Sequence, residues 1–597
     1  QRRVHGGIGR EKPKTQSFTA MASFTNTSLL FSLTFPCRSK NTASRHVSLP
    51  PVSCRLSKNA DDTENHKTRR DMLIGLGGVY GATTVDYDGL ALAKPISAVD
   101  LSSCGQAELP QGAQPTNCCP PTPSKILDFT PTVRGPVRIR PAAHLVSDEY
   151  VAKYLRAVEL MKSLPADDPR SFTQQANVHC AYCDGAYRQV GFPDLELQVH
   201  NSWLFFPFHR FYLYFHERIL GSLINDPTFA LPFWNYDAAG GMLIPPIFAN
   251  DSYSLYDKLR NKDHQPPTLV DLDYNLQDGD VTPDQQVPHN LAIMYRQMVA
   301  NSKTAKLFFG SAYRAGDEPD PGAGSIENIP HGPIHIWTGD KAQPNIENMG
   351  NFYSAARDPI FYIHHANVDR MWAIWKTLGG SRRTEFTDPD WLEAAFIFYD
   401  ENANAVRVKV KDCIDTKMLG YVYQNVEIPW LNARPKPKKK SKSVASLFGE
   451  KVAVAAEKKA DVVPISSFPI VLDRAVTVTV KRPKKSRSRK EKEEEEELLV
   501  IKGIEFERDC AVKFDVYVNE LSGVYGSAEN SEFAGSFVNV PHKHKHGKKM
   551  KTRLRLGITD LLEDLGAEDD ETIFVTLIPR YGKDVKIAGI KVDFLRD

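Results

Sequence analysis

Seven histidines drawn into three apolar neighbourhoods constrain this chain more than any other feature of its sequence. The first neighbourhood runs from Asn177-Val178-His179-Cys180-Ala181-Tyr182-Cys183 through Val199-His200-Asn201-Ser202-Trp203 to Phe206-Pro207-Phe208-His209-Arg210. The second is Pro330-His331-Gly332-Pro333-Ile334-His335-Ile336-Trp337, and the third is Asp358-Pro359-Ile360-Phe361-Tyr362-Ile363-His364-His365-Ala366-Asn367. Imidazoles are polar. Burying this many in apolar sequence requires either a hydrogen-bond partner for each ring or a shared metal ion.

Spacing narrows the choice. His331 and His335 stand four residues apart and lie about 40° apart on one helical face, where two rings can share one ion. His364 and His365 are about 100° apart on a helix, so only one can face a given centre, and periodicity alone leaves both open. His216 shares a face with His209 but lies about 10.5 Å further along the axis, which makes it a core histidine rather than a co-ligand. A di-iron site would add Glu-x-x-His pairs, and structural zinc would favour closed Cys/His sets. Imidazole-only ligation, three rings on each side, suits copper, and two adjacent coppers can bind dioxygen between them.

The first 93 residues read as an address. No methionine precedes Met21, and residues 1–20 read as an upstream leader. From Met21 to Ala60 there is no Asp or Glu, 12 of the 40 residues are Ser or Thr, and five are Lys or Arg. That is the composition of an organelle transit peptide. Arg69-Arg70, the apolar run from Met72 to Ala82, and Ala91-Leu92-Ala93 then form a twin-arginine signal with a small-residue cleavage site. The pair of signals predicts import into the chloroplast and on to the thylakoid lumen, with 21–93 removed and a mature start near Lys94.

After an arm over 94–135 that reads as irregular and strandless, helical patterns are expected from Ser147 to Pro165 and over Phe206–Leu220, Asn290–Ala300 and Pro359–Leu378. These predict a mainly α domain over 94–433, a helix bundle with long loops. Arg434-Pro435-Lys436-Pro437-Lys438-Lys439-Lys440 and the small residues that follow read as an exposed linker, 434–460, open to a processing protease. The period then changes to two. Val512, Phe514, Val516 and Val518 alternate with Lys513, Asp515, Tyr517 and Asn519, as in a half-buried strand. Further strand patterns over Ile470–Val480, Leu498–Glu507, Thr572–Leu577 and Val585–Phe594 predict an all-β sandwich over 461–597. Lys481–Glu497 and His542-Lys543-His544-Lys545-His546 read as solvated loops.

Composition excludes other classes. Lys and Arg total 75 against 73 Asp and Glu, a net charge of +2, without the basic excess of a general nucleic-acid binder. The apolar run near Met72 is shorter than the ~20 residues a membrane span needs. No sequence feature selects an oligomeric state.

Together with Asp390-Trp391-Leu392, Gly420-Tyr421-Val422-Tyr423-Gln424 and Lys513-Phe514-Asp515-Val516, the histidine segments resemble the plant polyphenol oxidases of the catechol oxidase and tyrosinase type. The resemblance spans almost the whole chain. It implies that His179, His200 and His209 hold copper A, that His331, His335 and His365 hold copper B, and that His364 lines the pocket wall. It implies disulfides Cys104–Cys119 and Cys118–Cys180, the first worth about 3 kcal/mol on a chain-entropy model, and a thioether from Cys183 to His200. Cys413 and Cys510 have no assigned partner and read as buried free thiols. It makes Phe352 a gate over copper A and Glu327 the carboxylate that holds a water near copper B. Gly332 stands where tyrosinase-like members carry an Asn that polarises that water, and Ile336 after His335 is apolar. The activity this implies is oxidation of o-diphenols to o-quinones with reduction of O2 to water, with little monophenol hydroxylation. The protein would be made as a latent proenzyme shielded by the C-terminal domain and opened by cleavage, detergent or acid. The alternatives are a full tyrosinase or specialised phenolic oxidase and, outside enzymes, an O2-binding or copper-storage protein.

Overall fold

In the computed structural model the described residues are 94–131, 135–279, 281–438, 461–520, 523, 525–543 and 549–595. The targeting segments 1–93, linker residues 439–460, His544 and His546 lie outside them. Among the described residues, six α-helices longer than one turn carry the first domain: α1 (Asp148–Ser163), α2 (Phe172–Cys183), α3 (Phe205–Leu223), α4 (Pro283–Tyr295), α5 (Gly332–Thr338) and α6 (Ile360–Trp375). Local chemistry sets their starts. The Ser147 side chain accepts the Tyr150 N–H at 3.3 Å, and Asp148 and Glu149 occupy the positive end of α1. Ser171 accepts the Gln174 N–H at 3.2 Å to open α2. Thr282 and Gln285 cap each other's backbone, so α4 begins ahead of the expected Asn290 and passes into a wider turn over Arg296–Ala300. α3 and α6 pack against each other at the centre and are buried almost all round.

The arm before α1 is stapled by Cys104–Cys119 and Cys118–Cys180, with Cα separations of 5.8 and 5.7 Å, and the second disulfide reaches α2. It is not strandless as expected: Ile126–Asp128 pairs in parallel with Ala405–Lys409. An isolated three-residue strand is completed by distant neighbours, which periodicity does not register.

Among the described residues the second domain is a sandwich of nine strands: β1 (Asp461–Val463), β2 (Ile470–Val471), β3 (Val476–Lys481), β4 (Glu496–Phe506), β5 (Val512–Val518), β6 (Phe533–Asn539), β7 (Met550–Gly557), β8 (Thr572–Tyr581) and β9 (Lys586–Leu595). One sheet runs β6-β5-β8-β3-β1 and the other β7-β4-β9-β2. Val512, Phe514, Val516 and Val518 meet Leu499, Ile501, Ile504 and Leu554 in the core between them.

Two sequence expectations are corrected here. β5 is buried at every position, not half-buried, because its polar face lies against the helical domain. Lys513 is within 3.1 Å of Asp273 and donates to the Asp273 carbonyl at 2.9 Å. The run Lys481–Glu497 is not a loop either: Ser488 caps a helix over Arg489–Glu494, and β4 begins at Glu496. Glu496 is buried against Lys303 and Arg382, and Glu497 against Arg482 at 2.8 Å, so acidic residues that read as solvated are ion-paired. No helix among the described residues is long and apolar enough to cross a membrane.

Candidate metal centre

Six segments deliver the rings. His179 comes from α2, His200 from the loop before α3, and His209 from the first turns of α3. His331 closes a wide turn over Glu327–His331, His335 lies in α5, and His364 and His365 lie in α6. The helical spacing expected of His331 and His335 holds: His331 has helical backbone and runs directly into α5, the break at Ile329 (φ −143°, ψ 129°) falls before it, and the two ring centroids lie 4.5 Å apart.

All seven rings are buried and fall into two groups. His179, His200 and His209 form one, and His331, His335, His364 and His365 the other, with ligand atoms within 4.8 Å of one another in each group. The groups adjoin: His209 and His365 stack at 4.1 Å. His364 therefore enters the second group beside His365, where one of the pair was expected to stand apart. His364 is 5.8 Å from Tyr236 on the far side, whereas His365 lies against His209 and Phe361 between the groups. His216 belongs to neither and stacks on Tyr362 at 3.6 Å.

Hydrogen bonds fix the ring faces. Nδ1 of His179, His209, His331 and His335 each donates to a backbone carbonyl, of Phe352, Phe205, Glu327 and Met349, at 2.7–2.9 Å. Nδ1 of His200 meets Gln198 Oε1 at 3.2 Å. A carbonyl can only accept, so these contacts place the proton on Nδ1 and leave a lone pair on Nε2. Each of the five Nε2 atoms is buried without a partner. Burial lowers the pKa of every ring, of His179 to about 3 and of His335 to about 4, which keeps them neutral. Buried neutral imidazoles oriented by carbonyls, with orphaned Nε2 atoms converging, are what a metal ion requires.

The surroundings complete a pocket. Phe352 stacks on His200 at 4.0 Å and 22°. Phe205 abuts His331 and His209, and Phe361 abuts His179 and His365. Phe206 packs on Phe308 and Trp203 on Phe386, in the core. Glu327 is buried: Oε1 accepts the Asn201 N–H at 2.5 Å, Oε2 has no partner, and burial pushes its carboxyl well above the usual range. Cys183 is buried outside both disulfides, as is Cys413, while Cys510, expected to be buried, is partly exposed in the turn between β4 and β5.

β6 and the residues after it roof the pocket. A Cβ built on Gly332 would lie 2.9 Å from Val538 Cγ1 and 3.8 Å from Val540 Cγ2. The Pro541 carbonyl accepts the Phe352 N–H at 3.1 Å. His542, expected in a solvated loop, is buried and stacks on the outer face of Phe352 at 5.0 Å. The lysines around it suggested solvent, and nothing in the local sequence indicates that a second domain would cover this position. Asn201, Asp320 and Asn328, which surround Glu327, were likewise not singled out: each is a lone polar residue in a loop or turn.

Comparison with known proteins agrees with this geometry. Residues 169–378 match the common central domain of tyrosinase, 385–436 the polyphenol oxidase middle domain and 468–594 the chloroplastic polyphenol oxidase C-terminal domain. A chloroplastic polyphenol oxidase of Malus domestica is 61% identical over 549 residues, covering 91% of this chain and 92% of its own. Aureusidin synthase of Antirrhinum majus is 56% identical over 90% of this chain and 98% of its own. The structure of latent apple tyrosinase superposes with a TM-score of 0.74 at 62% identity, over 79% of this chain and 100% of that one. On domains, sequence and two histidine groups that fit a type-3 pair of copper ions, the chain belongs to the plant polyphenol oxidases of the tyrosinase family.

Proposed function

We propose that this oxidoreductase converts o-diphenols to o-quinones, two diphenols per O2 reduced to two waters, in the chloroplast and specifically the thylakoid lumen. When bound, the copper pair supplies the electron exchange between diphenol and O2. His179, His200 and His209 hold one ion; His331, His335 and His365 hold the other. Phe352, flat on His200, offers a face on which the phenol ring stacks. Glu327 Oε2 holds a water beside the second ion. Gln198 supports a tether between Cys183 and His200: its Nε2 donates to the Cys183 carbonyl at 3.0 Å and its Oε1 accepts the His200 N–H at 3.0 Å. A thioether removes two hydrogens, so peptide mass spectrometry tests it directly.

The observation that carries the diphenol preference is Gly332, which provides no amide beside His331 to sharpen the basicity of the water at Glu327. The test is catechol against tyramine turnover by copper-loaded chain cut within 439–460. A tyramine rate comparable with the catechol rate would favour the second reading, a hydroxylating or specialised biosynthetic oxidase. That reading draws on the similarity to a protein named aureusidin synthase and to one described as a tyrosinase. Latency is part of the proposal: Val538, Val540 and His542 close the pocket without touching the copper-facing nitrogens.

A further inference from the structure

Glu327 is held by a loop whose conformation is imposed from three sides. Asn201, which follows His200, has φ of 54°, the left-handed region a non-glycine residue occupies only when its surroundings demand it. Its N–H donates to Glu327 Oε1 at 2.5 Å, its carbonyl accepts the Gly322 N–H at 2.8 Å, and its Nδ2 donates to Asp320 Oδ1 at 3.1 Å. Asp320 is itself left-handed, at φ 62°, and fully buried. The second oxygen of Asp320 faces Arg508 Nη2 at 3.2 Å. Arg508 belongs to the turn between β4 and β5 of the C-terminal domain and also lies 3.7 Å from Glu196. The Arg508 carbonyl accepts the His542 N–H at 3.1 Å, so the turn that carries the arginine also holds in place the histidine that covers Phe352.

We propose that Asp320 positions the Glu327 carboxylate through Asn201, and that Arg508 pairs with the same Asp320 to latch the C-terminal domain onto this clamp. The inference rests on the reading of Glu327 as the carboxylate that works beside the second ion. The two roles of Asp320 need different properties. Latching needs its charge, because a buried carboxylate stripped of its counter-charge is strongly disfavoured. Positioning needs only an acceptor at Oδ1, which an asparagine keeps.

The experiment uses the full copper-loaded chain with a protease site inserted in 439–460, cut after purification. The concentration at which the two pieces separate on dilution reports the latch. Arg508→Ala and Asp320→Asn should each raise it by about tenfold or more, with the double variant within about threefold of either alone, as expected for one shared interaction. Catechol turnover by the separated enzyme reports the clamp. Asp320→Ala, at full copper content, should lower kcat about tenfold with KM changed less than about twofold, and Asp320→Asn should recover most of the loss. Asn201→Gly tolerates the left-handed backbone but removes the side-chain link, and should lose kcat as Asp320→Ala does even if that variant fails to fold.

Separation unaltered by Arg508→Ala overturns the latch. An Asp320→Asn enzyme as slow as Asp320→Ala, or an undiminished Asn201→Gly, overturns the clamp. Glu327→Gln separates the two levels. If it leaves kcat intact, the reading of Glu327 falls and takes the clamp with it. If it lowers kcat while Asn201→Gly and Asp320→Ala do not, the clamp alone falls.

Discussion

The ring nitrogens divide labour in a way that makes single substitutions informative. His209 and His331 each bond a carbonyl four residues earlier in their own element through Nδ1 and turn Nε2 inward. Replacing either with Ala removes one of three donors to one ion without disturbing a neighbouring helix. His209→Ala or His331→Ala should therefore lower bound copper to about one ion per chain and abolish catechol oxidation, while circular dichroism stays native. Full copper content and activity in either variant would remove that residue from the set. Gly332 carries a double prediction, because the position a Cβ would occupy lies against Val538. In the uncut chain, Gly332→Asn overpacks that contact by about 1–3 kcal/mol and should raise basal catechol turnover by loosening the roof. In the cut enzyme the added amide would bond the water proposed to sit at Glu327, and the tyramine-to-catechol ratio should rise severalfold. An unchanged ratio with copper retained would deny the position this role.

Among the elements, β5 shows how one strand serves two cores. Its apolar residues fill the sandwich, and Lys513, Asp515 and Tyr517 meet the helical domain. Asp515 is held below the ordinary carboxylate range by Lys513 and by Arg580 at 2.5 Å, although burial opposes this. Asp273, across the contact, is pushed up to about 6. Burial is the main cause and Asp515 adds to it, while Lys513 and, more weakly, His289 oppose the rise. For Asp273 the linkage runs against the simple expectation that acid loosens the roof. A carboxyl whose docked pKa is raised from 3.8 penalises docking above about pH 6, and the penalty fades as pH falls from 6 toward 3.8. We expect pieces of the cut chain to hold together more tightly at pH 5 than at pH 7, by on the order of 1–3 kcal/mol. Asp273→Asn should flatten that difference. Separation that is easier at pH 5 in the parent chain, and equally so in Asp273→Asn, would assign acid opening to other groups.

For the whole molecule, the roof is the second domain's principal act on the first. Val538, Val540, Pro541 and His542 sit over Gly332 and Phe352, and Asn328 pairs with the roof strand, accepting the Val538 N–H at 2.9 Å and donating to the Ser536 carbonyl. Contacts between domains of one chain commonly bury about 600–1,500 Å² and can be broken once the linker is cut. Cleavage within 439–460 at constant copper content should raise catechol turnover at least tenfold under dilution that separates the pieces. Turnover already maximal in the uncut chain would make the sandwich a stability module rather than a lid.

Much of this architecture was legible in one dimension. The helices α1, α3 and α6, the strands β3, β4, β5, β8 and β9, and the histidines of both groups follow from periodicity, caps and residue type, because those signals are local: a helix or a strand repeats its environment every few residues; β1, β6 and β7 were not expected from the sequence. The arm's disulfides and the division of ligands came with the family resemblance rather than from spacing. The rest was decided by tertiary structure. Lys513 and Asp515 read as a solvent face, His542 as a solvated loop residue, and Glu496 and Glu497 as the end of an exposed charge run. All are buried, because the partner that covers or neutralises each comes from another element: Lys513 meets Asp273, Asp515 meets Arg580, His542 meets Phe352, Glu496 meets Lys303, and Glu497 meets Arg482, which follows β3. The ring pairing of His364 and His365, the left-handed clamp at Asn201 and the reach of Arg508 to Asp320 depend likewise on where separate elements meet. Local sequence specifies which residues can form an element and which can bind a metal. Which of their faces meets water is settled only when the two domains close on each other.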